Sequence, residues 1–123
     1  MRGQRLFVRP IESGDAEAIR RFLDQNAESS TVPACGLLGK LVGDLAGVLS
    51  MEIAEDGLRI ENVVVARELR RKRIGRFLVD EAARLAQKID RDRLLVADAR
   101  GAEEFLRRVG FEVEDGVFVR RVR

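Results

Sequence analysis

The stretch VARELRRKRIGRFL, residues 65–78, joins a strand pattern to a helix pattern. Before it, the segment from Leu58 to Val65 alternates and then ends in three consecutive valines, which is typical of a strand buried on both faces. After it, a helix is predicted from Gly75 to Ile89, with apolar residues at helical spacing: Phe77, Leu78, Ala82, Leu85 and Ile89. The segment between them therefore predicts a strand–loop–helix unit with its positive charge at the turn.

This turn is a candidate anion site, because a helix N-terminus presents unpaired N–H groups and the positive end of the helix dipole. Gly75 lets the backbone approach a ligand closely. The alternatives are a solvated charge run and a nucleic-acid patch, but the basic run holds no aromatic residue to stack bases. The position between a buried strand and an amphipathic helix favours a phosphate site, and we expect no nucleic-acid partner. The surrounding cationic residues are Arg70, Arg71, Lys72, Arg73 and Arg76.

The remaining patterns predict one mixed α/β domain over residues 1–123, a sheet with helices on its faces. A helix capped by Ser13 or Asp15 carries Ala16, Ile19, Phe22 and Leu23 on one face and fades at Asn26, and a second helix spans Ala102 to Val109. The further predicted strands are Leu6 to Arg9, Gly36 to Val42, Leu45 to Ile53, Leu94 to Ala97, Phe111 to Val113 and Val117 to Val122.

Composition restricts the available chemistry. The 123 residues carry a net charge of +2 and include no His, Tyr or Trp, so the usual proton shuttle, phenolic acid and commonest metal ligand are all missing. We predict no metal site. No window approaches the ~20 apolar residues of a membrane span, and the only cysteine, Cys35, cannot form an internal disulfide. These features predict a soluble, cytoplasmic protein with no membrane association.

Three motifs in this order resemble the GCN5-related N-acetyltransferase (GNAT) family over nearly the whole chain. Residues 65–78 are similar to its strand, loop and Arg/Gln-x-x-Gly-x-Gly/Ala segment, with Arg70 at the first position and Gly75 at the last. Residues 105–112, FLRRVGFE, resemble its helix followed by Gly-Phe, and residues 43–50, GDLAGVLS, its hairpin. The resemblance implies the acyl-CoA N-acyltransferase fold, with about six to seven strands and three to four helices.

The resemblance also implies acetyl-CoA as acetyl donor. Its pyrophosphate would lie at the basic turn. Its pantetheine arm would pair with the end of the strand from Leu58 to Val65, where that strand splays from the strand Leu94 to Ala97. A backbone N–H near Val64 or Val65 would stabilise the oxyanion. The implied cofactor-binding residues are Val63, Val64, Val65, Arg70, Arg71, Lys72, Arg73, Ile74, Gly75 and Arg76.

Two positions depart from the family pattern. Arg73 replaces the first motif glycine, where it either crowds the cofactor or binds phosphate from outside. Leu106 replaces a tyrosine that, in many members, protonates the leaving thiolate. Loss of general acid catalysis, typically worth ~10²–10⁴-fold, predicts a slow enzyme and not a dead one.

Glu61 is the candidate catalytic base, with Arg59 on the same strand face to hold it ionised; the alternative is an ordinary surface ion pair. Cys35 either touches the acceptor or is a small core residue. The family holds its acceptor with the segment that corresponds here to residues 26–35.

We therefore expect an N-acetyltransferase that moves an acetyl group to the amine of a small molecule by direct attack on the thioester. The alternative is a catalytically weak acyl-CoA-binding domain that regulates a partner protein, which predicts an exposed apolar surface near the cofactor. Some members of the family dimerise, and the resemblance permits a homodimer.

Overall fold

A computed structural model describes residues 5–27, 31–70 and 73–122. Within these ranges, the mixed α/β architecture holds seven strands and three α-helices, which agrees with the number expected from the resemblance. Inside the described ranges, no helix has both the length and the apolar character required to cross a bilayer. The strands are β1 (Leu6–Pro10), β2 (Gly36–Leu41), β3 (Asp44–Ala54), β4 (Gly57–Val65), β5 (Arg93–Val96), β6 (Glu112–Glu114) and β7 (Val117–Arg121), and the helices are α1 (Ala16–Asn26), α2 (Ile74–Lys88) and α3 (Glu103–Arg108).

The sheet has the strand order β1-β2-β3-β4-β5-β7-β6. Its neighbours are antiparallel except β4 and β5, which are parallel and joined through α2. A parallel pair needs such a crossover, because the chain must return to the same end of the sheet. The basic turn at the start of α2 therefore lies beyond the carboxyl end of β4.

The two faces of the sheet bury separate apolar clusters. The larger cluster lies under α2 and α3 and includes Leu58, Leu78 and Leu94, all fully buried. The smaller cluster joins Ile19, Phe22 and Leu23 of α1 to Leu38, Val48, Val64 and Ala66. Helix α1 therefore packs on the sheet face opposite to α2 and α3.

The predicted elements agree with the observed ones to within one or two residues at most ends. Two predictions about helix faces were wrong, since Ala16 and Phe77 are exposed. In α1 the apolar stripe continues instead to Asn26, a buried polar residue. The described residues between α1 and β2 hold no further helix.

A carboxylate joins β1 to the start of α1. Asp15 accepts two hydrogen bonds from Arg9, at 2.7 and 2.8 Å, and a third from the backbone N–H of Glu12 at 2.7 Å. The hydrogen bonds from Arg9, and then that from Glu12, lower the pKa of Asp15 to about 2. Asp15 therefore fixes the direction in which α1 leaves the sheet.

Asp15→Asn is expected to lower the melting temperature at pH 7, with a loss that shrinks in acid. Because the folded-state pKa lies below the unfolded value of ~3.9, the contribution of Asp15 is complete above that value. It is lost as the pH falls through about 2. Thermal unfolding at pH 7, 4 and 2.5 measures the effect, and the exposed Asp24→Asn serves as the matched control. A deficit that is independent of pH would contradict this role.

Candidate functional site

A cleft opens in the sheet between β4 and β5. The two strands pair only at Leu58 with Leu94 and at Arg59 with Leu95, and β5 ends at Val96. Residues 60–65 of β4 retain β3 as a neighbour on one side but pair with no strand on the other among the described residues. The predicted splay of these strands is confirmed. It exposes a backbone edge at Val63, Val64 and Val65.

The N-terminus of α2 begins beyond this cleft without an acidic partner. Its first helical hydrogen bond runs from the N–H of Phe77 to the carbonyl of Arg73 at 3.0 Å, so the N–H groups of residues 74–76 precede it. Acidic residues lie in the first turns of α1 and α3 but not of α2, where Arg73 and Arg76 are exposed cations instead. The dipole and the side chains here both favour an anion.

Gly75 allows the start of α2 to pack closely against α3. A Cβ atom at this position would lie 3.3 Å from the Phe105 ring of α3, closer than most side-chain contacts. Ile74 turns its side chain into the core, so only its main chain can face the anion site. The start of α2 therefore rests directly on α3.

Arg70 has two hydrogen bonds to carbonyl groups. Its Nη2 donates to the carbonyl oxygen of Asn26 at 3.0 Å, and its Nε donates to that of Val65 at 3.2 Å. The guanidinium thus links the ends of α1 and β4, a role that the motif did not reveal. Two further predicted cofactor residues, Arg71 and Lys72, lie outside the described residues.

Glu61 lies at a β-bulge. Ser50 pairs with Asn62 and Met51 with Ile60, so Glu61 is the extra residue of β4 and is exposed. Arg59 does not hold it: its guanidinium donates to Asp56 at 3.0 Å and lowers the pKa of that carboxyl. The predicted Arg59–Glu61 pair is therefore wrong. Among the described residues, Glu61 has no ion-pair partner within 4 Å.

Glu61 lines a groove of about 460 Å³. Leu95 and Val119 lie on its floor, and their neighbours Leu94 and Phe118 point the other way into the cluster under α2. The groove therefore opens on the sheet face opposite α2. Its other lining residues come from β3 to β5 and from the β6–β7 hairpin: Glu52, Asp56, Arg59, Ile60, Arg93, Ala97, Asp98, Glu114, Asp115 and Val117.

The groove carries an excess of negative charge. Of the residues that the structure describes, six with carboxylates and two with guanidiniums line it. Arg100 pairs with Asp98 at 3.0 Å and Arg121 with Glu114 at 2.9 Å, but these partners offset only part of the excess. Such a lining attracts a cation and repels an anion.

Other predicted site residues lie elsewhere. Cys35 is half-buried and packs against the larger cluster, in agreement with the core alternative. Leu106 is buried in the same cluster. Sequence reasoning missed the groove acids Asp98, Glu114 and Asp115, because only the tertiary fold brings the end of β5 and the β6–β7 turn to the same groove as Glu61.

The family assignment rests on comparison with known sequences. The model of the acetyltransferase (GNAT) family matches residues 4–111. The chain belongs to this family. The prediction of an acetyltransferase is thereby confirmed. No curated protein matches the sequence significantly.

Solved structures of GNAT proteins share the fold at low sequence identity. A GNAT-family N-acetyltransferase of Escherichia coli in complex with CoA has a TM-score of 0.78 at 16% identity, covering 98% of this chain and 83% of its own. The PaiA N-acetyltransferase of Thermoplasma acidophilum in complex with coenzyme A has 0.75 at 15%, covering 94% and 96%. The ribosomal-protein-S18-alanine N-acetyltransferase of E. coli has 0.77 at 14%, covering 96% and 94%.

Within this GNAT chain, Arg73 occupies the left-handed backbone region, with φ 64° and ψ 18°. Arg73→Gly is expected to raise the melting temperature by about 3–5 °C, because a side chain in this region costs roughly 1–2 kcal/mol, partly offset by the greater freedom of unfolded glycine. Arg73→Ala is the control, since it removes the guanidinium and keeps the Cβ. An equal rise in melting temperature for both variants would show that loss of the guanidinium charge, and not relief of backbone strain, stabilises the protein.

Proposed function

We propose that this protein is an acetyl-CoA-dependent N-acetyltransferase whose acceptor is the amine of a small, cationic molecule. The observation that carries the proposal is the position of β4 between two complementary surfaces. The basic start of α2 lies beyond the end of β4, next to the edge that has no strand partner. The acidic groove lies on the sheet face opposite α2. An anionic donor and a cationic acceptor can therefore approach the same strand from opposite faces.

The donor site has the features that coenzyme A needs. The edge at Val63, Val64 and Val65 has no strand partner on the β5 side, and its polar groups other than the Val65 carbonyl, which accepts from Arg70, can pair with the amides of the pantetheine arm. The N–H groups of Ile74, Gly75 and Arg76 and the exposed Arg73 suit the pyrophosphate. Arg70, Arg71 and Lys72 complete the proposed set. Two CoA-bound relatives share this fold, which supports the same donor here.

The acceptor site is the groove that Glu61 lines. Its volume of about 460 Å³ falls within the ~300–1,000 Å³ typical of small-molecule sites. The excess of carboxylates favours an amine with further positive charge over an amino acid, whose carboxylate would be repelled. None of residues 31–35 lines this groove, so the acceptor contacts proposed here come mainly from β4, β5 and the β6–β7 turn.

The proposed reaction is direct transfer. The acceptor nitrogen attacks the thioester carbonyl, a C–N bond forms, and the C–S bond breaks with release of the CoA thiolate. Glu61, directly or through water, takes the proton that the amine loses. A main-chain N–H near Val64 or Val65 stabilises the oxyanion. Most of the rate enhancement then comes from positioning the two reactants.

The leaving thiolate has no tyrosine or histidine to protonate it, because the chain contains neither. Water can protonate the CoA thiolate after it leaves. A general acid is not essential, since a free thiol has a pKa of ~8.5 and the thiolate is a tolerable leaving group. The alternative function, a regulator of a partner protein, predicts an apolar surface near the donor site. Phe77 is the only large exposed apolar side chain that the structure describes on α2, so the enzyme is favoured.

The donor site is tested by calorimetric titration with acetyl-CoA. We expect a micromolar Kd for the unmutated protein and binding weakened by about tenfold or more in Arg76→Glu, which reverses a charge beside the helix N-terminus. Arg84→Glu is the matched control, because it reverses an exposed charge later on the same helix. Absence of binding by the unmutated protein, or equal weakening in both variants, would refute the donor site.

The acceptor site is tested by release of free thiol from acetyl-CoA in the presence of amines. Linear oligoamines should be acetylated faster than amino acids. Glu61→Gln should lower kcat by about 10²-fold or more if Glu61 is the base. Glu52→Gln removes the same charge from the same groove and should change KM alone. Equal effects of the two variants on KM, with kcat unchanged, would assign Glu61 to attraction of the acceptor.

A further inference from the structure

Asn26 is a polar residue on an apolar stripe. It is the last residue of α1, lies on the same helix face as Ile19, Phe22 and Leu23, and is only 9% exposed. Both ends of its amide are hydrogen-bonded: Nδ2 donates to the carbonyl of Phe22 at 2.9 Å, and Oδ1 accepts from the N–H of Arg67 at 3.0 Å. A buried amide at a core position is costly unless both its ends are satisfied, as they are here.

The bond to Arg67 reaches the segment that leads from β4 to α2. Residues 67–69 form a single 3-10 turn that begins one residue after the end of β4, and the N–H of Leu69 donates to the carbonyl of Ala66 at 2.9 Å. Because the Arg67 N–H begins this turn, the Asn26 side chain fixes where the turn starts. The contact joins residues that are 41 positions apart in sequence.

Arg70 closes the same link from the other side. Its guanidinium donates both to the main-chain carbonyl of Asn26 and to that of Val65. Together, Asn26, Arg67 and Arg70 form what we call the α1–β4 clamp. It holds the last residue of α1 against both ends of the segment from Val65 to Arg70, just before the proposed phosphate site.

We propose that Asn26 is a positioning residue for the donor site. It does not touch the cofactor; it sets the position of residues 65–70, and through them the distance between the pantetheine edge and the start of α2. The inference rests on the donor site proposed above. According to this inference, the end of α1 affects cofactor affinity although α1 packs on the sheet face opposite α2.

Asn26→Ala is expected to raise the Kd for acetyl-CoA about tenfold, because it removes the acceptor for the Arg67 N–H and loosens the loop. Ile19→Val is the control: it loosens the same helix and cluster by one methylene but leaves the clamp intact, so its Kd should not change. Calorimetric titrations are run well below the melting temperature of every variant, so that each is folded.

Asn26→Asp separates positioning from stability. It keeps an oxygen for the Arg67 N–H but loses the donor to the Phe22 carbonyl. We expect Asn26→Asp to have a melting temperature no higher than that of Asn26→Ala. We nevertheless expect it to bind acetyl-CoA more tightly than Asn26→Ala does. Affinities that follow melting temperatures across these variants would overturn the inference and leave the proposed function standing. If the unmutated protein does not bind acetyl-CoA, both fail.

Discussion

Between β4 and β5, pairing stops after two positions, and the proposed chemistry depends on this divergence. A fully paired parallel ladder would occupy the backbone of Val63, Val64 and Val65 and leave no edge for an extended ligand. The α2 crossover keeps the strands in one sheet, while Gly75 lets the start of that helix rest on Phe105 of α3. The cleft and the anion site are therefore consequences of a single strand–helix–strand unit.

The bulge at Glu61 adds a second consequence. An extra residue in β4 interrupts the regular alternation between Ile60 and Asn62, and it presents Glu61 to the groove while Val63 and Val65 pack against the cluster under α2. One strand thus turns a carboxylate toward one face and a free backbone edge toward the cleft. Charge follows the same division: the donor side is basic and the groove acidic, which suits an anionic donor and a cationic acceptor.

Local patterns in the sequence predicted the strands, the helices and the basic turn, because periodicity and glycine-containing turns encode them. The pairing register between β3 and β4 could not be predicted from these local patterns. The Arg59–Glu61 pair assumed an unbroken strand, and the bulge and the nearby turn acid Asp56 decided otherwise. Asn26 carried a readable signal, a polar residue at the next step of an apolar stripe, but its partners Arg67 and Arg70 follow only from the tertiary fold.

In the proposed mechanism, the absence of tyrosine and histidine gives positioning a larger share of the catalysis. In an enzyme with a general acid, proton transfer assists departure of the thiolate and is typically worth ~10²–10⁴-fold. Here Leu106 is buried in the core and cannot assist. In the proposed reaction, the rate would then depend on how closely the thioester is held against the acceptor amine, and small displacements are costly in such a site. In this proposal, hydrogen bonds that hold residues 65–70 in place, such as those of Asn26 and Arg70, therefore contribute to catalysis.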